Sequence, residues 1–372
     1  MMIRDEIHGT IEFTEIEEKI IDSPDFQRLR RIKQMSVSNL VYPGANHTRF
    51  EHSLGTSHLA HVISTKLGLE EEIIEKIRLY ALIHDIGHVA FSHEGEDVLK
   101  KYLGNHEELR RIKLSKGELT DIISENYSSS DILEIGDSSF GAIVDSDLGA
   151  DRMDYLKRDA LNTGVAYGIV DIDRIVHTMV MKNGKLAISH GGLEAAEYLL
   201  IARFMMFSAV YMHKTVRIAT AMLYRAIKNT LSDGLLCSED FTQLGDDHAL
   251  ALMCKSKSGG SYANAILNRQ LYKEVFSMPK KDWNIKKAAQ LECYLSEKIG
   301  QEIIVDFPNQ FFKPIELNVE TDFGLMPIVE LSKLVDSLKK TEQGRVPILV
   351  LMDQKFALKN TTKVAKLIDG FA

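Results

Sequence analysis

The chain has 372 residues, long for one compact core, so two structural units are expected. An apolar fraction of 45% excludes a disordered chain, and no apolar run approaches the ~20 residues of a membrane-spanning helix. A formal net charge of −8 argues against a broad nucleic-acid-binding face and leaves room for a local nucleotide pocket.

The N-terminal Met-Met-Ile-Arg-Asp-Glu lacks the apolar stretch of a secretory signal, so a cytoplasmic protein is expected. Cys237, Cys254 and Cys293 are widely spaced and fit neither a disulfide framework nor a zinc ribbon.

Residues 1 to 20 read as an extended lead-in that turns at Gly9. Asp22-Ser23-Pro24 is a helix start, with proline at or near the first helical position. Residues 25 to 37 read as a helix bearing the basic cluster Arg28, Arg30, Arg31 and Lys33, a pattern equally suited to a solvated face and to a ligand. Tyr42-Pro43-Gly44-Ala45-Asn46 is a loop. A helix from Arg49 or His52 runs to Leu67 and stops at Gly68. The next, 70 to 86, places Ile73, Ile77, Tyr80 or Ala81, and His84 on one face, so His84 points inward. Gly87 is expected to end it in a left-handed cap.

Residues 115 to 135 mix amphipathic helix with a Ser-rich turn. Residues 143 to 162 read as a helix with Asp151, Tyr155 and Arg158 at i, i+4 and i+7. Lys182-Asn183-Gly184-Lys185 is a hairpin turn between short strands at 178–181 and 186–189. From 192 to 231 the chain reads as one very long helix or a kinked pair, with Arg203, Phe207, Tyr211 and Lys214 on a shared face. Beyond 232, residues 255–261 form a Ser/Gly-rich loop, 302–306 and 346–352 read as strands, and 327–340 as a helix. The expected fold is mostly α, with a helical core at 1–231 and a C-terminal helical or α+β region at 232–372.

Three distant segments carry the chemistry: His47-Thr48-Arg49-Phe50-Glu51-His52, His84-Asp85-Ile86-Gly87-His88, and Asp147 through Tyr155. His52, His84, Asp85 and Asp151 offer two imidazoles and two carboxylates to one divalent cation. That donor set suits Mn, Fe, Zn, Co or Ni, and Mg less naturally. Arg49 lies one helical turn before His52, which puts a guanidinium suited to phosphate beside a metal ligand. Taken singly, each of these residues is as compatible with a satisfied polar core group.

These segments resemble the HD-domain phosphohydrolases, and within them the deoxynucleoside triphosphate triphosphohydrolases. Further matching stretches are Arg4-Asp5-Glu6-Ile7-His8-Gly9, Phe26 through Gln34, Phe91-Ser92-His93, and Asp151 through Asp159. The match extends over about residues 4 to 229, with a weaker patch near 265 to 276. It implies one divalent ion per subunit, an HD-domain helical core, and hydrolysis of a deoxynucleoside triphosphate to deoxynucleoside and inorganic triphosphate. Water would attack the α-phosphorus in line.

The same resemblance implies proton transfer by His106 and Glu96, with Glu94 as the other candidate for that carboxylate, and phosphate contacts from His88 and His93. It implies phosphate and sugar contacts from Arg152, Tyr155, Arg203 and Tyr211. Gln34 and Asp159 would hold the 3′-hydroxyl, and Met35 with Tyr211 would crowd a 2′-hydroxyl. Phe207 stands where vertebrate members have histidine. A regulatory guanine nucleotide would meet Asp22 and Arg30 together with Arg269 and Lys273, with Arg174 and Lys214 as weaker matches, in a homo-oligomer expected to be a tetramer. Ser189 and Gly191 replace basic residues of a second regulatory nucleotide site, which speaks against a two-nucleotide switch. Two other readings stay open: an HD-type phosphomonoesterase or phosphodiesterase on another nucleotide, and a non-catalytic nucleotide-sensing scaffold.

Overall fold

The structure is a computed structural model that describes residues 1–281, 283–308, 314–342 and 346–371. It is mostly α-helical, with short strands in three small sheets. Contacts divide it into two compact units that exchange chain several times. One comprises Met1–Phe207, Cys237–Ala249 and Ile315–Ser337, the other Ser208–Leu236, Leu250–Pro314 and Leu338–Ala372. The chain therefore does not pass once from core to C-terminal region near residue 231.

The first unit opens with an antiparallel hairpin, Met2–Asp5 with Gly9–Glu12, that turns at Gly9 (φ +78°). Thr14 and Glu17 form a reciprocal capping box that starts the Glu15–Asp22 helix. The helix expected over 25–37 is cut short. Pro24–Gln27 is helical, Arg28–Arg31 is a 3₁₀ turn, and Ile32 is extended so that Lys33 can bridge to Thr48. Tertiary bonds override helix propensity here. The Arg28 guanidinium is buried and donates to the carbonyls of His88, Phe241 and Leu244, so it is not a solvated charge.

The Arg49–Lys66 helix starts at a Thr48–Glu51 capping box and ends before Gly68 (φ +70°). It packs against Glu71–Ile83 and Ala150–Thr163. Gly55 permits the second contact: a Cβ there would fall 2.0 Å from Asp154 Oδ1. The Glu71–Ile83 helix ends three residues earlier than expected, with His84 at its C-cap, so that the His84–His88 segment can turn into the site. Gly87 is not in the left-handed region. Its role is close approach, since a Cβ would lie 2.0 Å from the His106 carbonyl oxygen. The expected 143–162 helix starts only at Ala150, after a 3₁₀ turn at Ser139–Ile143.

The hairpin Met179–Lys182/Lys185–Ser189 forms at the expected turn, where Asn183 and Gly184 both have positive φ. It belongs to a four-stranded sheet completed by Asn318–Thr321 and Gly324–Pro327, with Ile188 paired in parallel to Val319. Of the two readings of 192–231, one very long helix or a kinked pair, the structure has the pair: Leu193–Met206 and Lys214–Ser232, separated by a π turn at Phe207–Tyr211. That break interrupts the shared face expected for Arg203, Phe207, Tyr211 and Lys214.

The second unit is α+β. Its antiparallel sheet has Ile348–Met352 in the centre, flanked by Lys273–Met278 and Ile303–Asp306. All five central residues are buried, as a middle strand covered on both faces requires. Helices Ile285–Ile299 and Gln354–Asp369 pack Leu291, Leu295 and Val364 against Ile348, Val350 and Met352. Among the described residues no single helix is long and apolar enough to cross a membrane.

Candidate active site

The first unit brings His52, His84 and Asp85 together, with one donor atom from each within 4.8 Å of the others. Asp151 joins them: its Oδ1 lies 2.9 Å from His52 Nε2 and 3.8 Å from His84 Nε2. The four side chains come from the Arg49–Lys66 helix, the turn after Glu71–Ile83, and the Ala150–Thr163 helix.

Both imidazoles could serve as cation ligands. His84 Nδ1 lies 2.6 Å from the Ala81 carbonyl oxygen, which can only accept. The proton is therefore on Nδ1, and Nε2 presents a lone pair, buried and without a hydrogen-bond partner. His52 Nδ1 bonds Asp154 Oδ2 at 2.7 Å, the carboxylate–histidine arrangement that orients a ligand from behind. Burial opposes charge on His52, but its hydrogen bonds to Asp151 and Asp154 outweigh burial and push its pKa up to about 10. A cation at Nε2 replaces a proton, so its binding at this centre strengthens as pH rises.

Asp85 is the hub. Burial works against its charge, yet Arg49, His84 and His88 hold its carboxyl well below the usual range. Arg49 Nη1 donates to Asp85 Oδ2 at 2.6 Å. On the other side Asp85 Oδ1 lies 3.3 Å from His84 Nε2 and 3.3 Å from His88 Nε2. One carboxylate thus links the cation ligands to a second group.

That second group is His88, His93, Glu96 and His106. His106 Nδ1 and Glu96 Oε2 are 2.8 Å apart, and the His88 and His106 rings stack at 4.2 Å and 12°. Burial, with Arg49 and His106 nearby, drives His88 well below the ordinary histidine value and keeps it neutral. Burial also opposes charge on Glu96, but its hydrogen bond to His106 wins and lowers its pKa. Stacked imidazoles have parallel in-plane lone pairs, which cannot both meet one ion at about 2.1 Å. The arrangement fits proton transfer and anion contact better than a second cation.

Within the first unit the remaining expected contacts fall in two places. Arg152 and Arg203 converge on Asp147, Arg203 at 3.1 Å, and Tyr155 bonds Arg152. Asp147 Oδ2 also accepts the Glu316 N–H at 2.6 Å. Asp159 Oδ1 bonds His47 Nε2 at 2.7 Å, and the Gln34 N–H donates to the His47 carbonyl oxygen at 3.0 Å. Gln34 Oε1 is buried without a partner, and Met35 is buried in the same stretch. Tyr211 lies in the second unit, at the end of the π turn.

Of the residues expected to meet a regulatory nucleotide, Asp22, Arg30 and Arg174 belong to the first unit and Lys214, Arg269 and Lys273 to the second. Asp22 lines an acidic cleft of about 450 Å³ with Glu15, Glu18, Lys19 and Glu118. Exposed Arg30 stacks on the Phe50 ring at 3.4 Å. Arg174 bonds the Gly191 carbonyl oxygen. In the second unit Arg269, Lys273 and Lys214 line one cleft of about 290 Å³ with Tyr272 and Glu274.

Several residues of the centre were not singled out by sequence reasoning. Asp154 is buried and bonds His52, His8 and Arg158, and Arg158 bonds Asp5 in turn. Asp147, His47, Ser92 and Asp246 complete the surroundings. A signal for Asp154 existed: it lies three residues after Asp151 and four before Arg158, on one helix face.

Helices that deliver a His-Asp pair, a further histidine and a further aspartate to one buried point define a helical, metal-binding class of phosphohydrolases. Family models agree: that of the HD domain matches residues 49–159, and that of the HD associated region matches 170–369. The chain belongs to the HD-domain phosphohydrolase family. An uncharacterised protein of Methanocaldococcus jannaschii is 38% identical over 360 residues, covering 92% of this chain and 76% of its own. A Dictyostelium discoideum homologue of the deoxynucleoside triphosphate triphosphohydrolase SAMHD1 is 28% identical over 336 residues, covering 82% of this chain and 65% of its own. The crystal structure of a hypothetical protein from Aquifex aeolicus superposes with a TM-score of 0.84 at 30% identity, covering 98% and 99% of the two chains.

Proposed function

We propose that this protein hydrolyses deoxynucleoside triphosphates to deoxynucleoside and inorganic triphosphate. The observation that carries the reading is the hub at Asp85, where a four-residue cation donor set adjoins Arg49 and a His-Glu proton-transfer group. The Dictyostelium relative, named for this activity, supports the choice of substrate.

His52, His84, Asp85 and Asp151 would hold one divalent ion. When bound, it supplies Lewis-acid charge that makes water a stronger nucleophile and neutralises phosphate. The rest is done by the chain itself. Arg49 donates to phosphate oxygens beside Asp85, and Arg152 and Arg203 offer two further guanidinium groups. His106, oriented at Nδ1 by Glu96, gives a proton from Nε2 to the departing 5′-oxygen. Neutral His88 and partly exposed His93 line the path of the attacked phosphate. Gln34 and Asp159, joined through His47, bind the sugar edge. A guanine-nucleotide activator met by Asp22, Arg30, Arg269 and Lys273 at a subunit interface, and a homotetramer, belong to the same reading.

The test is product analysis. The protein is loaded with Mn2+ and incubated with each dNTP and NTP, singly and in pairs, and products are separated by chromatography. Triphosphate and deoxynucleoside are the expected products, and Asp85→Ala abolishes turnover. Release of orthophosphate or monophosphate would instead mark a phosphomonoesterase or phosphodiesterase, and tight dGTP binding without turnover would mark a nucleotide-sensing scaffold.

A further inference from the structure

The loop after the His-Asp pair is held in an unusual way. Phe91 (φ +68°) and Ser92 (φ +56°) are consecutive left-handed residues, and neither is glycine. Such conformations persist only where surrounding structure enforces them, and they concentrate at functional sites. What enforces them here is a segment more than 140 residues further along the chain, within the same compact unit.

Asp246 is 4% exposed and accepts two backbone donors, Phe91 N–H at 2.7 Å and Lys33 N–H at 2.9 Å. The Phe241 carbonyl oxygen accepts from Ala90 N–H at 2.9 Å. Arg28 joins the two sides by donating to His88 O at 2.8 Å and to Phe241 O at 3.1 Å. The consequence reaches the centre through Ser92. Its hydroxyl accepts from Arg49 Nε at 2.8 Å and donates to the Lys33 carbonyl oxygen at 2.7 Å. Arg49 then meets Asp85 through its other arm.

We propose that residues 241–246 act as a strap that fixes the His88–Ser92 loop and aims Arg49, with Asp246 as its positioning residue. The strap's bonds run to the backbone of Lys33, Ala90 and Phe91 and to the Arg28 side chain, so it reaches the centre through the phosphate-contacting Arg49. It lies in the HD associated region, outside the 49–159 match to the HD domain. The HD domain of this chain is therefore incomplete without it. Burial pushes the Asp246 carboxyl up to about 6, against the pull of its two N–H donors, so the fold accepts a desolvated carboxylate there.

The inference rests on the site reading above, and its test does not depend on the substrate. Asp246→Asn, in the full chain, keeps the volume but sets an amide NH₂ against one backbone donor. Three quantities are compared with the wild type: Mn2+ affinity by electron paramagnetic resonance, inorganic triphosphate affinity by calorimetry in Mn2+, and kcat and KM on whichever nucleotide turns over. The expected result is triphosphate affinity down about tenfold and kcat down about 100-fold, with Mn2+ affinity held within about threefold. Unchanged triphosphate affinity and kcat overturn the proposal. So does loss of Mn2+ affinity in the same proportion, because that is general unfolding. Should Asp246→Asn not fold, Ser92→Ala cuts the same connection from the Arg49 side, with the same pattern expected and a wild-type pattern decisive against. Failure of the dNTP reading looks different: the wild type itself releases orthophosphate or monophosphate, and the two binding measurements still report on the strap.

Discussion

Arg158 has a fully buried side chain yet carries a charge. It bonds Asp154 through Nε and Nη2, each at 2.9 Å, and Asp5 through Nη1 at 2.9 Å. Asp154 is in turn bonded by His52 and His8. Desolvation of the two carboxylates is offset only while the guanidinium stays, and an ion pair broken on one side leaves a buried charge uncompensated. Arg158→Met should therefore cost about 3–5 kcal/mol of stability in urea unfolding. A loss under about 1 kcal/mol would show that the pair carries little weight. That His52, His84, Asp85 and Asp151 converge was legible in the sequence because His-Asp, the preceding histidine and the later aspartate occur in motifs. Asp154 was not, because the donor count was already satisfied by Asp151. Nor was Asp147 recognised as the carboxylate that gathers Arg152 and Arg203, since nothing local marks two arginines 51 positions apart as neighbours.

At the scale of elements, helices with an uninterrupted apolar period were readable, and those interrupted by tertiary bonds were not. The Arg49–Lys66 helix and the Asn183-Gly184 hairpin lie where pattern and turn chemistry put them. The 25–37 stretch has helical composition, but Arg28 is drawn into three carbonyl bonds and Lys33 N–H to Asp246, so the helix stops. Gly87 looks like a helix cap from its position and is instead the point where two backbones nearly touch. Gly55 performs the same service between the two helices that carry His52 and Asp151. Its added methyl would meet Asp154 Oδ1 at 2.0 Å and Arg158 Nη2 at 2.5 Å, both fixed by their own bonds. Gly55→Ala should separate these helices, lower stability by about 1–3 kcal/mol and weaken Mn2+ binding about tenfold or more. Retention of wild-type Mn2+ affinity in a titration would mean that the helix contact tolerates the strain.

At the scale of the whole molecule, the compact unit that holds the site is assembled from three stretches of chain. Residues 237–249 supply Asp246 and the carbonyls that hold Arg28, and 315–337 supply the strand paired to Ile188 and the N–H that bonds Asp147. A fragment ending at residue 231 lacks both. It should show no cooperative thermal transition and no Mn2+-dependent nucleotide hydrolysis. A soluble fragment with a sharp calorimetric peak would contradict this. The sequence suggested a boundary there because composition changes after residue 232, but composition does not reveal which residues return to an earlier sheet.

The parallel pairing of Ile188 with Val319 has a temporal consequence. On a ribosome adding about 5–20 residues per second, the N-terminal part of the sheet waits roughly 7–26 s for its partner to be made. Throughout that interval the edge of the Lys185–Ser189 strand is unpaired during synthesis, which exposes a nascent chain to chaperones and to wrong strand partners. The burden of making this protein correctly thus falls on the last steps of translation, well after the metal-gathering motifs have left the exit tunnel.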